Sequence, residues 1–70
     1  MKKEDMAFGV VNCLRLHAHS EPDETSEVVC KLRFLTEVII DVRKSTADFY
    51  KIYTAIGAEG FCRKEYLTIK

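Results

Sequence analysis

The sequence predicts an all-β domain, a small barrel of five to six short antiparallel strands. Apolar and polar residues alternate at period two through several short stretches, the spacing that turns one face of a strand inward. No window of a dozen residues keeps apolar positions at i, i+3, i+4 and i+7, whereas β-branched and aromatic residues crowd the alternating stretches. With no helix to cover a sheet, so few strands are expected to close on themselves, hiding both edges and one apolar face.

The first alternating stretch puts Val10, Asn12, Leu14, Leu16 and Ala18 on one face and Val11, Cys13, Arg15, His17 and His19 on the other. Leu14, Leu16 and Ala18 mark its expected buried side. The segment Ser20 to Ser26, containing Pro22, breaks it, because proline cannot donate to a ladder and Ser, Asp and Thr favour turns. Val28 to Leu32 is a short second strand. Thr36 to Val42 alternates cleanly, with Val38, Ile40 and Val42 together and Ile39 opposite. Arg43 to Asp48 reads as a turn, and Phe49 to Thr54 as a strand in which Tyr50 and Ile52 oppose Phe49, Lys51 and Tyr53. Gly57 and Gly60 bracket a tight connection into Phe61, Cys62 and Arg63. Lys64 to Tyr66 forms one helical turn, and Leu67 to Ile69 closes the fold. The expected core is Leu14, Leu16, Ala18, Val29, Leu32, Val38, Ile40, Tyr50, Ile52 and Leu67. Residues 1–8 are expected as a polar extension and residues 9–70 as the domain.

Seventy residues allow one domain with a thin stability margin, which argues against an excavated catalytic cleft. Abundant branched and aromatic residues, with one proline and three glycines, exclude a disordered chain. Eleven basic residues balance eleven acidic ones, so no global field favours nucleic acid or an anionic membrane. The acidic stretch Glu21, Asp23, Glu24 and Glu27, followed by the basic Lys31 and Arg33, reads as a solvated loop. Cys13, Cys30 and Cys62 are an odd set without C-x-x-C spacing. No apolar run follows the polar start, so neither a secretory signal nor a membrane span is expected. Free thiols in a reducing cytoplasm are the simplest account.

From residue 9 onward the order of signals resembles the bacterial Src-homology-3 (SH3-like) family. That family opens with G-V-V and then L-N-V-R-x-G-P, where this chain has Gly9-Val10-Val11 and Leu16-His17-Ala18-His19-Ser20-Glu21-Pro22. The family's V-I-x-x-L stands here as Val28 to Leu32, and its G-W-Y-K-V as Asp48-Phe49-Tyr50-Lys51-Ile52. Its closing G-W-V-x-x-x-Y-L is matched by Gly60-Phe61-Cys62-Arg63-Lys64-Glu65-Tyr66-Leu67. The departures are His17 and His19 for Asn and Arg, Phe49 and Phe61 for two tryptophans, and Leu35 for a glycine. The resemblance implies an SH3-like barrel that works by binding. Similar domains are usually fused to hydrolases, which they direct to peptidoglycan peptides.

The residues themselves offer three site readings. An aromatic cluster of Phe49, Tyr53 and Tyr66, with Phe61, beside the acidic loop carrying Glu21 and Glu24, would form an apolar contact rimmed by negative charge. It suits a peptide with a basic residue, a protein partner or a second copy of the chain. His17 and His19, two apart on a strand, could chelate one divalent cation; the alternative is two surface histidines, and no metal or other cofactor is expected. No cysteine has the base and orienting group of a nucleophile, so the chain is not expected to be an enzyme. The expected function is a stand-alone intracellular or phage-encoded module binding a protein or peptide. The alternative is a cell-wall module, released by lysis or carried on a virion, that binds peptidoglycan.

Overall fold

Seven strands form where the alternation runs. They are β1 (Met6–Val11), β2 (Arg15–His19), β3 (Val28–Arg33), β4 (Glu37–Asp41), β5 (Phe49–Tyr53), β6 (Glu59–Arg63) and β7 (Leu67–Ile69). The computed structural model describes residues 5–70, so the first four residues of the expected extension lie outside the described residues. All the strands pair antiparallel in one sheet of order β3-β2-β6-β5-β4-β1-β7. The all-β expectation holds, and the described residues contain no α-helix. The ladder itself does not close: β3 and β7 are its two edges. A single sheet can bury one face without a second layer only by curving over itself. Accordingly, residues from all seven strands meet in one core or at its rim, among them Val11, Leu16, Leu32, Ile40, Ile52, Cys62 and Leu67.

The strand count exceeds the expected five to six because the first alternating stretch is two strands. Val11 is buried, and so are Leu16 and Ala18. Positions 11 and 16 cannot share a face of one unbroken strand, since side chains alternate with period two. Asn12 to Leu14 leave the ladder and reset the phase, so Leu14, expected in the core, is 82% exposed. Val29, another expected core residue, is 43% exposed: it stands three residues from the buried Leu32, out of phase with it, and beside a bulge at Ala18 and His19. Tyr50 only packs at the core's margin, whereas Val11 and Cys62 belong to its centre. The sheet also begins earlier than expected, since Met6 pairs with Asp41 and Phe8 with Ile39.

Two short 3-10 turns complete the chain. Asp41, buried at the end of β4, accepts from the Arg43 and Lys44 N–H groups at 3.1 and 3.3 Å and so caps the turn at Val42–Lys44. The second, Lys64–Tyr66, falls where one helical turn was expected and leads into β7.

Leu35, standing where the SH3-like pattern has glycine, adopts φ 68° between β3 and β4. Its N–H donates to Val11 O at 2.9 Å, which locks the reversal of the chain. A left-handed conformation costs an L-residue about 1–2 kcal/mol, and the largely exposed side chain returns little of it. Leu35→Gly is therefore expected to leave stability unchanged or raise it by up to about 1 kcal/mol in chemical denaturation, after the entropic penalty of glycine. Ile40→Ala, in the centre of the core, is expected to cost about 2–5 kcal/mol. By the same measurement Leu14→Ala should stay within about 0.5 kcal/mol.

Candidate functional site

The register of β5 and β6 decides which aromatic residues reach the outer face. Tyr50, Ile52, Gly60 and Cys62 pair across the two strands on the inner side. Phe49, Lys51 and Tyr53 stand outside, opposite Arg63, Phe61 and Glu59. His19 of β2 pairs with Phe61 and continues this outer face. Lys51 organises it: its ammonium lies 4.9 Å from the Phe61 ring centroid and 5.7 Å from that of Tyr53, and it bonds Glu59 Oε1 at 3.0 Å. Phe61 and Tyr53 are thus held together through a cation.

The expected cluster of Phe49, Tyr53 and Tyr66 does not assemble. Phe49 is on the outer face yet only 5% exposed, with the Arg63 guanidinium 5.6 Å above its ring. It fills space beneath that arginine and offers no surface anchor. Tyr53 lies toward β4 and β1, in a row with Ile39 and Phe8. Tyr66 stands apart from it, 39% exposed on the second 3-10 turn.

Tyr66 instead lines an open groove of about 500 Å³ with Cys13, Arg15, His17, His19, Glu24 and Arg63. Its wall is the 20–27 loop, which is closely bonded within itself. Ser26 Oγ donates to Asp23 O at 2.6 Å, Ser20 N–H donates to Glu27 O at 2.8 Å, and Thr25 donates to Asp23 Oδ1 through N–H and Oγ1, both at 2.9 Å. Those two donors hold the Asp23 carboxyl below its ordinary range. The acidic rim, however, is largely neutralised at the groove: Glu24 pairs with Arg63, which also bonds Glu65 at 2.6 Å. Glu21 is exposed and anchors the loop through its backbone N–H, which donates to Ser26 Oγ at 3.2 Å. Among the described residues Arg15 has no ion-pair partner at this groove, while Arg63 meets two carboxylates, so the groove carries charges of both signs and not the uniformly acidic rim that was expected.

The two histidines do share the groove, with ring centroids 6.5 Å apart. Ser26 O lies 3.1 Å from His19 Nδ1, so a neutral His19 donates there and leaves Nε2 free. Among the described residues no third His, Cys, Asp or Glu completes a metal-binding group with them.

The cysteines differ sharply in environment. Cys62 is buried, and desolvation pushes its thiol from 9.0 up to about 12, with Cys30 and Cys13 adding to the effect. Burial also raises Cys30, while Cys13 Sγ donates to Arg15 O at 3.2 Å. Native protein at pH 8 is expected to alkylate at Cys13 and Cys30 well before Cys62, with three thiols titrating after unfolding. The unfolded chain releases the Cys62 proton near pH 9 while the native state retains it. Stability should therefore fall between about pH 9 and 12, and Cys62→Ala should flatten that slope in alkaline denaturation.

Sequence reasoning overlooked Arg15 as a site residue and separated Lys31 and Arg33 from the histidines. Alternation places Lys31 and Arg33 on one face of β3, but only the pairing with β2 sets them beside Arg15 and His17. No helix among the described residues is long and apolar enough to cross a membrane. No family model matches this chain, and no curated protein matches it either.

Proposed function

We propose that this chain is a non-catalytic, SH3-like binding module that recognises a protein or peptide partner inside a cell or a phage-infected host. The observation that carries this reading is the groove between β2, the 20–27 loop and the turn ending at Tyr66, open to solvent and walled by a loop that is already ordered. A preformed loop spares the ordering entropy that a flexible one would lose on binding. Tyr66 offers an aromatic face and a hydroxyl at the groove's edge, the kind of side chain that dominates interface energetics. Phe61, Tyr53 and Lys51 extend the outer face beyond it.

The test is retention of host proteins and of purified peptidoglycan by the immobilised chain, with Tyr66→Ala run in parallel. A protein partner whose affinity drops at least about tenfold in Tyr66→Ala, at unchanged melting temperature, is expected. Retention by peptidoglycan alone would favour the cell-wall reading, and equal retention by both proteins would remove the groove from the account.

A further inference from the structure

The ribbon formed by β2 and β3 concentrates a charge that the chain as a whole lacks. On its outer face Arg15 stands directly opposite Arg33, and His17 opposite Lys31. All four are exposed, and Arg15, Lys31 and Arg33 have no ion-pair partner among the described residues. Like charges directly across a ladder repel one another, so an anion placed along this face would relieve a strain that the fold itself imposes.

The same strand carries unpaired backbone. Phe34 N–H donates to Leu14 O at 3.3 Å, which marks positions 14 and 34 as a hydrogen-bonded pair of the β2–β3 register. Such pairs alternate along an antiparallel ladder, so the backbone groups of Lys31 and Arg33 turn away from β2. Thr36 N–H occupies the Arg33 carbonyl at 3.1 Å. The N–H and C=O of Lys31 and the N–H of Arg33 meet no partner among the described residues. This edge borders a groove of about 300 Å³ to which Lys31 and Arg33 themselves contribute beside Leu32, Ala55 and Ile56, with Glu37 at its margin. Ile56, at the tip of the β5–β6 hairpin, is 91% exposed.

We infer that the free edge of β3 accepts an extended segment of another protein by strand addition. The segment alternates carboxylate and branched apolar residues. Its carboxylates face Lys31 and Arg33 on the outer side, and the apolar side chains between them enter the groove over Leu32 and Ile56. Period-two alternation in the added strand matches that of β3, which supplies both faces at once. A second β3 does not satisfy the site, because it would bring its own Lys31 and Arg33 to the basic face. The bulge beside Ala18 and His19 ends the straight part of the edge and confines the addition to Lys31, Arg33 and their neighbours. The inference rests on the binding-module reading for its biological setting, but it uses a different surface from the Tyr66 groove.

The experiment titrates isotope-labelled full-length chain with a blocked peptide alternating glutamate and valine. Controls are its lysine–valine counterpart, an N-methylated form of the first peptide, and oligothymidylate. The glutamate–valine peptide is expected to shift the amides of Lys31 and Arg33 and slow their hydrogen exchange. It should bind at least about tenfold more tightly than the lysine–valine peptide. N-methylation should abolish the effect, and a Lys31→Glu, Arg33→Glu variant of unchanged melting temperature should reverse the peptide ranking. Undisturbed Lys31 and Arg33 amides at millimolar peptide would overturn the inference. So would equal binding of the N-methylated peptide, which would show charge attraction without strand pairing. Tighter binding of oligothymidylate would reassign the basic face to nucleic acid. Tyr66-dependent capture of a partner without any response at β3 would sink this inference alone, whereas a β3 response without Tyr66-dependent capture would sink only the groove.

Discussion

The close approach of β2 to β6 at Gly60 holds the molecule together as one unit. A Cβ at this position would lie 2.9 Å from His19 O, 2.9 Å from Val29 Cγ2 and 3.2 Å from Ala18 Cβ. A backbone carbonyl cannot swing aside as a flexible side chain can, so only glycine lets the strands meet. Among the described residues His19 paired with Phe61 is the one ladder position joining the β2–β3 ribbon to the other five strands. The small residue Ala18, buried beside Gly60, completes the approach. Once docked, the ribbon sets Leu16 and Leu32 into the core with Cys62 and lays His19 beside Phe61 on the outer face. The groove that β2 forms with Arg63 and Tyr66 depends on this contact.

The outer surface shows how a chain of zero net charge becomes locally polar. Arg63 gathers Glu24 and Glu65 and covers Phe49, while Lys51 gathers Glu59 between two aromatic rings. These exposed ion pairs are each worth little to stability, since water screens them and ordering long side chains costs entropy. Their consequence is placement. They engage Glu24, Glu59 and Glu65, and among the described residues Arg15, Lys31 and Arg33 of the ribbon have no ion-pair partner. A binding surface of definite sign therefore emerges without any excess of basic residues in the composition.

Several elements were legible in the residue pattern because their cause is local. Val38 and Ile40 in β4, Ile52 in β5, the single turn at Lys64 to Tyr66 and the short closing strand all follow from period-two alternation or from a run too brief for anything longer. Leu14 was assigned inward by extending the phase of Leu16 back across a break, and alternation carries no record of an irregularity that resets it. Val29 was assigned inward although it stands three residues from the buried Leu32 and so out of phase with it. The Asn12–Leu14 interruption and the bulge beside Ala18 exist because the ribbon must turn to reach β6, a long-range demand invisible in a local window.

The site was less legible than the fold for a related reason. The aromatic residues were placed on the correct side of β5, but a face says nothing of what lies over it, and Phe49 is buried there with Arg63 of β6 over its ring. Glu24 looked like the rim of an acidic surface until the folded loop brought it to Arg63, 39 residues away in the chain. By itself the sequence determined an all-β domain, the strands from β4 onward and most of the core, since side-chain alternation and burial of apolar area act between near neighbours. Tertiary structure alone decided the ion pairs at the groove, the partners of each aromatic ring and the unpaired edge of β3, because these depend on which strands become neighbours.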